Sequence, residues 1–227
     1  MSAVESAMER LQQKIADGEL LPGQKCPPEG ELAAQLGVSR SSLREAVRAL
    51  CALGVLETRH GSGTHVSSLE PAVILRSFSL LVDLLPLDGL LEVLEIRRLM
   101  EAHAAATAAA NAAPTTVRQL LALCDEMEET TDGVRYAELD SQFHQAFCGA
   151  GGNATLTGLV RLFRSRGGHF RILEGPAADQ VRTGSNAGHR AIATAIQNRD
   201  PAAASLAAAG HVIESENWLR RIRPEPR

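Results

Sequence analysis

The chain has 227 residues, a formal net charge of −4 and an apolar fraction of 44%, enough for one large domain or two smaller ones. Aromatic residues make up only 3% of it, and this composition, rich in alanine, favours helix over sheet. No apolar run reaches the roughly 18 residues of a membrane span, and the N-terminus is too acidic for a secretory signal. We therefore expect a cytoplasmic protein with no membrane partner, and its four cysteines, which lack CxxC spacing, are expected to be reduced thiols.

The first part of the chain predicts three helices followed by a hairpin. Apolar residues at helical spacing predict one helix over residues 4–17, a short second helix after Pro28 and a third helix after Ser39. A Gly-Ser-Gly turn between two short stretches then predicts a β-hairpin. Helix, short helix, turn, helix and hairpin form the plan of a winged helix-turn-helix. We expect this domain to occupy residues 1–68.

The third predicted helix, GVSRSSLREAVRAL, carries arginines at every fourth position beside an apolar face. Such a stripe alone is more often a solvated helix face, but its place in a helix-turn-helix favours a role in reading DNA. Between residues 36 and 66, four arginines face two acidic residues, which gives a local charge of +2. Arginine suits guanine in the major groove, while serine hydroxyls and the first backbone amides suit phosphate. The expected contacts in this helix are Arg40, Ser41, Ser42, Arg44 and Arg48.

The span from residue 11 to residue 66 resembles the N-terminal domain of GntR-type transcription regulators. The pieces IADGEL-LPG, P-E-x-EL, VSR-x-x-LREA and GSGTHV match in order and spacing. The resemblance implies further contacts from the wing, at His60 and Gly61, and a homodimer that binds a palindromic double-stranded DNA operator. Relatives usually carry an arginine at the position of Gly30, so we expect one contact common in relatives to be absent here.

The remainder of the chain, over residues 71–223, predicts an all-α bundle. Helical periodicity continues almost throughout it, without an alternating strand pattern, and proline and glycine divide it into seven segments. Bundles of this kind build ligand and metal sites between facing helices. The predicted helices span residues 72–85, 89–112, 115–130, 134–149, 154–173, 177–198 and 201–221.

Four residues of the predicted bundle are candidate metal ligands. Asp140 and His144 are four residues apart in AELDSQFHQAF, so both project from one helix face beside an apolar stripe. His189 and His211 lie on predicted buried faces of the last two helices. One carboxylate and three imidazoles suit a divalent ion such as Zn²⁺, Ni²⁺ or Mn²⁺. The alternative for each lone histidine is a hydrogen-bonded core residue, which the sequence alone favours for His189 and His211.

This second part is similar to the FCD ligand-binding domain of the FadR-like branch of the GntR superfamily. The matching pieces are LLEVLEIRRLMEAHAA, the D-x3-H helix, HRAIATAI and a terminal A-x3-H. In metal-bearing members the ligands stand at the positions of Asp140, His144, His189 and His211, so the resemblance implies a divalent metal at all four. Relatives commonly have glutamate where this chain has Gly188, so a partner or packing residue is expected to be missing.

Arg97 is a candidate effector-binding residue. It stands where relatives often have an arginine bordering the effector pocket, and a guanidinium beside a metal suits a small carboxylate. Arg97 could equally pair with Glu101, four residues later, as a surface bridge. Further arginines are pocket or surface candidates, at Arg164, Arg166 and Arg171. Two other histidines, His103 and His169, are expected not to be ligands.

Together these patterns predict a transcription regulator, expected to be a repressor, that a small carboxylate effector controls through a metal-bearing domain. One alternative is a metal-dependent enzyme that uses the same Asp and His residues to activate water. We expect no enzyme, because no convincing general base accompanies the four candidate ligands. A second alternative is a metal-free sensor in which these polar residues line a small-molecule pocket.

Overall fold

The computed structural model of the chain describes residues 2–76, 82, 84–165 and 177–223. They form two units, Met1–Phe78 and Ser79–Arg227. The predicted fold class is confirmed, since the first unit is a winged helix-turn-helix and the second is entirely helical in its described part. Within the described ranges, no helix is long and apolar enough to cross a membrane.

The first unit contains four described helices and a hairpin. Ser39 lies just before the third helix, and its side chain accepts a hydrogen bond from Ser42 N. Gly37 ends the second helix at φ 62°, a conformation that glycine adopts without strain. Leucines from every helix of the helix-turn-helix meet in one core, with Leu11, Leu43 and Leu50 fully buried. The elements are α1 (Ala3–Ala16), α2 (Glu29–Leu36), α3 (Arg40–Ala52), β1 (Leu56–Arg59), β2 (Gly63–Val66) and α4 (Pro71–Arg76).

The wing is a two-stranded antiparallel sheet with an additional segment along one edge. Strand β1 pairs with β2 from Leu56 opposite Val66 to Arg59 opposite Gly63. Residues 24–26, which precede α2, hydrogen-bond to the other edge of β2. Sequence reasoning did not predict this third segment, because it joins stretches about 40 residues apart that no turn connects.

The second unit contains six described helices, and their bounds lie close to the predicted ones. Asp132 and Asp200 cap the helices that follow them by accepting hydrogen bonds from backbone amides. The predicted helices over residues 72–85 and 154–173 lie only partly within the described residues. The candidates Arg166, His169 and Arg171 lie outside the described residues. The helices are α5 (Leu87–Asn111), α6 (Pro114–Glu129), α7 (Gly133–Ala150), α8 (Ala154–Ser165), α9 (Ala178–Gln197) and α10 (Pro201–Ile222).

Close helix packing places the inner faces of α5, α7, α9 and α10 side by side. Helix α5 packs along α10, and α10 packs in turn against α9. The alanines of α5 that begin at Ala104 are buried in the same core as Phe143 and Phe147 of α7. Small side chains let the helix backbones approach one another closely. Polar side chains on these inner faces therefore lie within contact distance of one another.

Candidate metal centre and DNA-contacting surface

Four side chains from three helices converge inside the second unit. Asp140 and His144 come from α7, His189 from α9 and His211 from α10. Each offers a ligand atom, and these four atoms all lie within 4.8 Å of one another. The structure thus brings together the complete set of candidate ligands. The three histidines are buried, and the Asp140 side chain is 22% exposed.

The contacts within the cluster are short. Asp140 Oδ1 lies 3.1 Å from His189 Nε2 and 3.7 Å from His144 Nε2. The two imidazole Nε2 atoms are 3.3 Å apart. The ring of His211 lies 4.4 Å from that of His189, measured between centroids. Nitrogen lone pairs this close repel one another unless a proton or a cation lies between them, so the donor set fits a metal ion.

Burial sets the protonation states of the cluster. It lowers the pKa of His144 to about 4, and the Arg164 charge adds to this effect although Glu101 opposes it. Burial and two neighbouring histidines likewise hold the pKa of His211 well below its usual range. Burial acts to raise the pKa of Asp140, but Arg164 and the two nearby imidazoles hold it well below its ordinary value. Near neutral pH the rings of His144 and His211 are neutral and the Asp140 carboxylate is ionised, which are the forms that bind metals.

Glu101 on α5 extends the cluster, and sequence reasoning missed this role. Its side chain is fully buried, and Oε2 lies 2.6 Å from Nδ1 of His144. Oε1 accepts a hydrogen bond of 2.8 Å from Nε of Arg97. A carboxylate beside Nδ1 favours the tautomer with its proton there, which leaves Nε2 of His144 with a lone pair facing Asp140 and His189.

Arg97 does pair with Glu101, which was one of its two alternatives, but the pair is buried and does not lie at the surface. Their side chains are only 7% and 0% exposed, because both continue the apolar stripe of α5. The positions of that stripe follow one another every three or four residues. This spacing is the signal in the sequence that predicts burial of Arg97 and Glu101. The buried members of the stripe are Leu90, Leu94, Arg97, Glu101, Ala104 and Ala108.

Arg164 on α8 links the two carboxylates at the more exposed side of the cluster. It forms an ion pair with Asp140, and its Nη1 lies 3.7 Å from Glu101 Oε1. The Arg164 side chain is 15% exposed, against 7% for Arg97. Of these two guanidiniums, Arg164 is therefore the one closer to solvent.

Gly188 on α9 makes room for His211. A Cβ atom at this position would lie 2.6 Å from Nδ1 of His211 and 3.2 Å from its Cβ. Any side chain there would force the imidazole to move. The absence of a side chain at Gly188 therefore allows the present position of one candidate ligand.

On the first unit, the arginine stripe of α3 is exposed as predicted. Its three arginines are exposed, whereas Leu43 and Leu50 of the same helix are buried. The local positive charge expected there is largely balanced within the protein, because three of the four arginines counted in it have carboxylate partners. These ion pairs join Arg44 to Glu29 at 3.1 Å, Arg48 to Glu45 at 2.7 Å and Arg59 to Glu57 at 2.6 Å.

The remaining predicted contacts lie at the start of α3 and at the tip of the wing. Ser41 Oγ and Ser42 Oγ lie 2.9 and 2.8 Å from Oγ of the capping Ser39. His60 and Gly61 are exposed in the turn between β1 and β2.

Arg40 lies beside Gly30, which stands in the first turn of α2. A Cβ atom at Gly30 would lie 3.1 Å from Nη2 of Arg40. The guanidinium therefore rests against the N-terminal turn of α2.

Comparisons with known proteins cover both units. Residues 3–66 match the family described as bacterial regulatory proteins, gntR family, and residues 92–214 match the FCD domain. An uncharacterized HTH-type transcriptional regulator of Mycobacterium tuberculosis is 33% identical over 216 residues, which are 92% of this chain and 85% of that protein. The putative L-lactate dehydrogenase operon regulatory protein of Escherichia coli is 35% identical over 160 residues, 68% of this chain and 61% of that protein. The solved structure of Streptococcus agalactiae GntR aligns with a TM-score of 0.61 and 30% identity, over 94% of this chain and 99% of that one.

Proposed function

Because the chain belongs to the GntR family of transcription regulators and carries an FCD effector-binding domain, we propose that it is a metabolite-controlled repressor. A homodimer in the cytoplasm binds a palindromic operator through α3 and the wing, and a small carboxylate bound beside a divalent metal weakens that binding. The families and relatives that the chain matches are transcription regulators, which removes the enzyme alternative.

The observation that carries the metal proposal is the convergence of three imidazoles and one carboxylate, whose ligand atoms all lie within 4.8 Å of one another. Asp140, His144, His189 and His211 would hold the ion, and Glu101 would orient His144 from behind. Zn²⁺, Ni²⁺ and Mn²⁺ all accept such ligands. The bound ion would supply a positive charge for an anionic oxygen of the effector.

The charges around the cluster favour an anionic effector. Arg164 is the more solvent-exposed guanidinium, and we assign it the first contact with a carboxylate, a bidentate partner for arginine. Arg97, expected to border the effector pocket, acts in this proposal through its buried pair with Glu101. One relative is named for the L-lactate dehydrogenase operon, so L-lactate is the first carboxylate to test.

A metal-free sensor remains the second candidate. The ion pair between Arg164 and Asp140 and the 3.3 Å contact between His144 and His189 satisfy part of the cluster without an ion. A thermal-shift series with L-lactate and other small carboxylates, with and without a chelator, separates the two candidates. We expect a carboxylate to raise the melting temperature and to reduce DNA retention only in metal-loaded protein. Equal effects with chelator would favour the metal-free sensor, and no effect from any carboxylate would refute this effector class.

The DNA-reading role is tested by the double variant Arg40→Ala, Arg44→Ala. On a duplex selected from a random library by the wild-type protein, this variant is expected to lose retention in a gel shift while its circular dichroism stays unchanged. The matched control removes two exposed arginines of the second unit, Arg135→Ala and Arg220→Ala, and should bind normally. Normal retention by the Arg40, Arg44 variant would refute the assignment of α3.

A further inference from the structure

Lys25 lies in the segment that pairs with the outer edge of β2. Its backbone forms an antiparallel bridge with His65. On either side, Cys26 N donates to Thr64 O at 2.9 Å and Val66 N donates to Gln24 O at 2.9 Å. Lys25 is therefore part of the wing in space, although it precedes α2 in sequence.

The side chain of Lys25 runs along the wing toward its turn. It starts opposite His65, and its Cε lies 3.4 Å from where a Cβ atom of Gly63 would stand. Gly63 immediately follows the turn that contains His60 and Gly61. Because Gly63 has no side chain, the lysine stem can cross the strand at this point, which carries the charged end toward the predicted wing contacts.

Internal pairing separates Lys25 from most other cations of the domain. Residues 2–68 contain seven lysines and arginines and eight acidic residues. Four of the cations have carboxylate partners, and Arg10 donates to Leu36 O. Of these seven cations, all of which the structure describes, only Lys25 and Arg40 have neither kind of contact.

A domain with no positive surplus binds a polyanion through the cations that it leaves unpaired, because paired guanidiniums first have to give up their carboxylates. Arg40 is already placed at the start of α3. We propose that Lys25 is a second anchor, which contacts a DNA backbone phosphate at the flank of the wing. The proposal rests on the DNA-binding function above and adds a residue from outside the helix-turn-helix and the hairpin.

A phosphate contact has a measurable signature. It strengthens binding to every sequence alike. Affinity falls as salt rises, and each neutralised phosphate increases the steepness of the plot of log affinity against log salt concentration by about 0.9. We therefore expect Lys25→Gln to reduce this slope by about 0.9 for each bound protomer. Its affinities for the selected operator and for a mixed-sequence duplex of equal length should fall by the same factor.

Fluorescence anisotropy over a range of salt concentrations tests this with two further variants. Lys14→Gln removes the same charge from a lysine that already pairs with Glu19, and its slope should match the wild type. Lys25→Arg keeps the charge and should keep the slope. Equal thermal stability of Lys25→Gln and wild type shows that the fold is intact.

Two results would overturn the proposal. The first is a wild-type salt slope in Lys25→Gln, and the second is a slope that Lys25→Arg loses as well, because this would assign the effect to packing over Gly63. A wild-type protein that binds neither duplex would instead refute the proposed function, so the two failures are distinguishable.

Discussion

The buried pair of Glu101 with Arg97 gives a sharp quantitative prediction. Two carboxylates and two guanidiniums are buried or nearly buried here, so these four charges balance. Glu101→Gln keeps the shape of the side chain but leaves one positive charge without a partner. Removal of one member of a buried ion pair costs about 3–5 kcal/mol of unfolding free energy.

For a unit of this size, each kcal/mol lowers the melting temperature by about 2–4 °C, so the variant should melt about 6–20 °C below the wild type. Thermal unfolding followed by circular dichroism in a chelator measures this without a contribution from bound metal. The variant should also bind metal about 10–100-fold more weakly, because His144 loses the carboxylate beside its Nδ1.

The control makes the same substitution at an exposed pair of the same unit. Glu138 pairs with Arg135 at 3.2 Å, and their side chains are 57% and 45% exposed. Glu138→Gln is expected to cost less than about 1 kcal/mol, as is usual for surface pairs. Equal melting temperatures for Glu101→Gln and Glu138→Gln would refute the argument that burial makes the Glu101 pair decisive.

Three further predictions concern metal binding and the reactivity of the cysteines. Gly188→Ala should weaken metal binding by about tenfold or more in a calorimetric titration, because its Cβ would lie 2.6 Å from His211 Nδ1. Gly184→Ala, whose nearest neighbours would be 3.8 Å away, should bind as the wild type does, and identical isotherms for the two variants would contradict this account. A divalent ion at 100 times its dissociation constant should stabilise the protein by about 2.7 kcal/mol, and chelation should reverse this. A melting temperature that changes neither with added ion nor with chelator would argue against the site. In peptide mapping after brief alkylation, the half-buried Cys51 should react before Cys124. Burial raises the pKa of the Cys124 thiol to about 11, so roughly one Cys124 thiol in a thousand is ionised at pH 8. Earlier labelling of Cys124 would contradict this.

Local signals were sufficient for most of the elements and for two of the four candidate ligands. Helix α3 follows from a serine cap and an apolar face, both of which act within a few residues. The pair of Asp140 and His144 is also local, since residues four apart share a helix face. His189 and His211 needed the family resemblance, because a single histidine on an apolar face does not reveal which helices will meet.

The parts that could not be predicted depend on contacts between distant segments. Glu101 lies on an apolar stripe, but a charged side chain is buried only where other groups compensate its charge. Here two of those groups, Arg164 and His144, come from other helices. The pairing of residues 24–26 with β2 likewise joins stretches without a connecting turn. The same distinction separates two ion pairs of the first unit. Arg59 pairs with Glu57, which is only two residues away, whereas Arg44 pairs with Glu29, which is 15 residues away in the sequence.

The central claim is that this regulator carries a divalent metal in its effector domain. Elemental analysis of protein purified without chelators, after equilibration with Zn²⁺, Ni²⁺ or Mn²⁺ and removal of excess ion, tests it most directly. We predict one ion for each wild-type chain and a clear loss in both His189→Ala and Asp140→Ala, with circular dichroism unchanged. Wild-type protein without bound metal, or full occupancy in both variants, would contradict the claim.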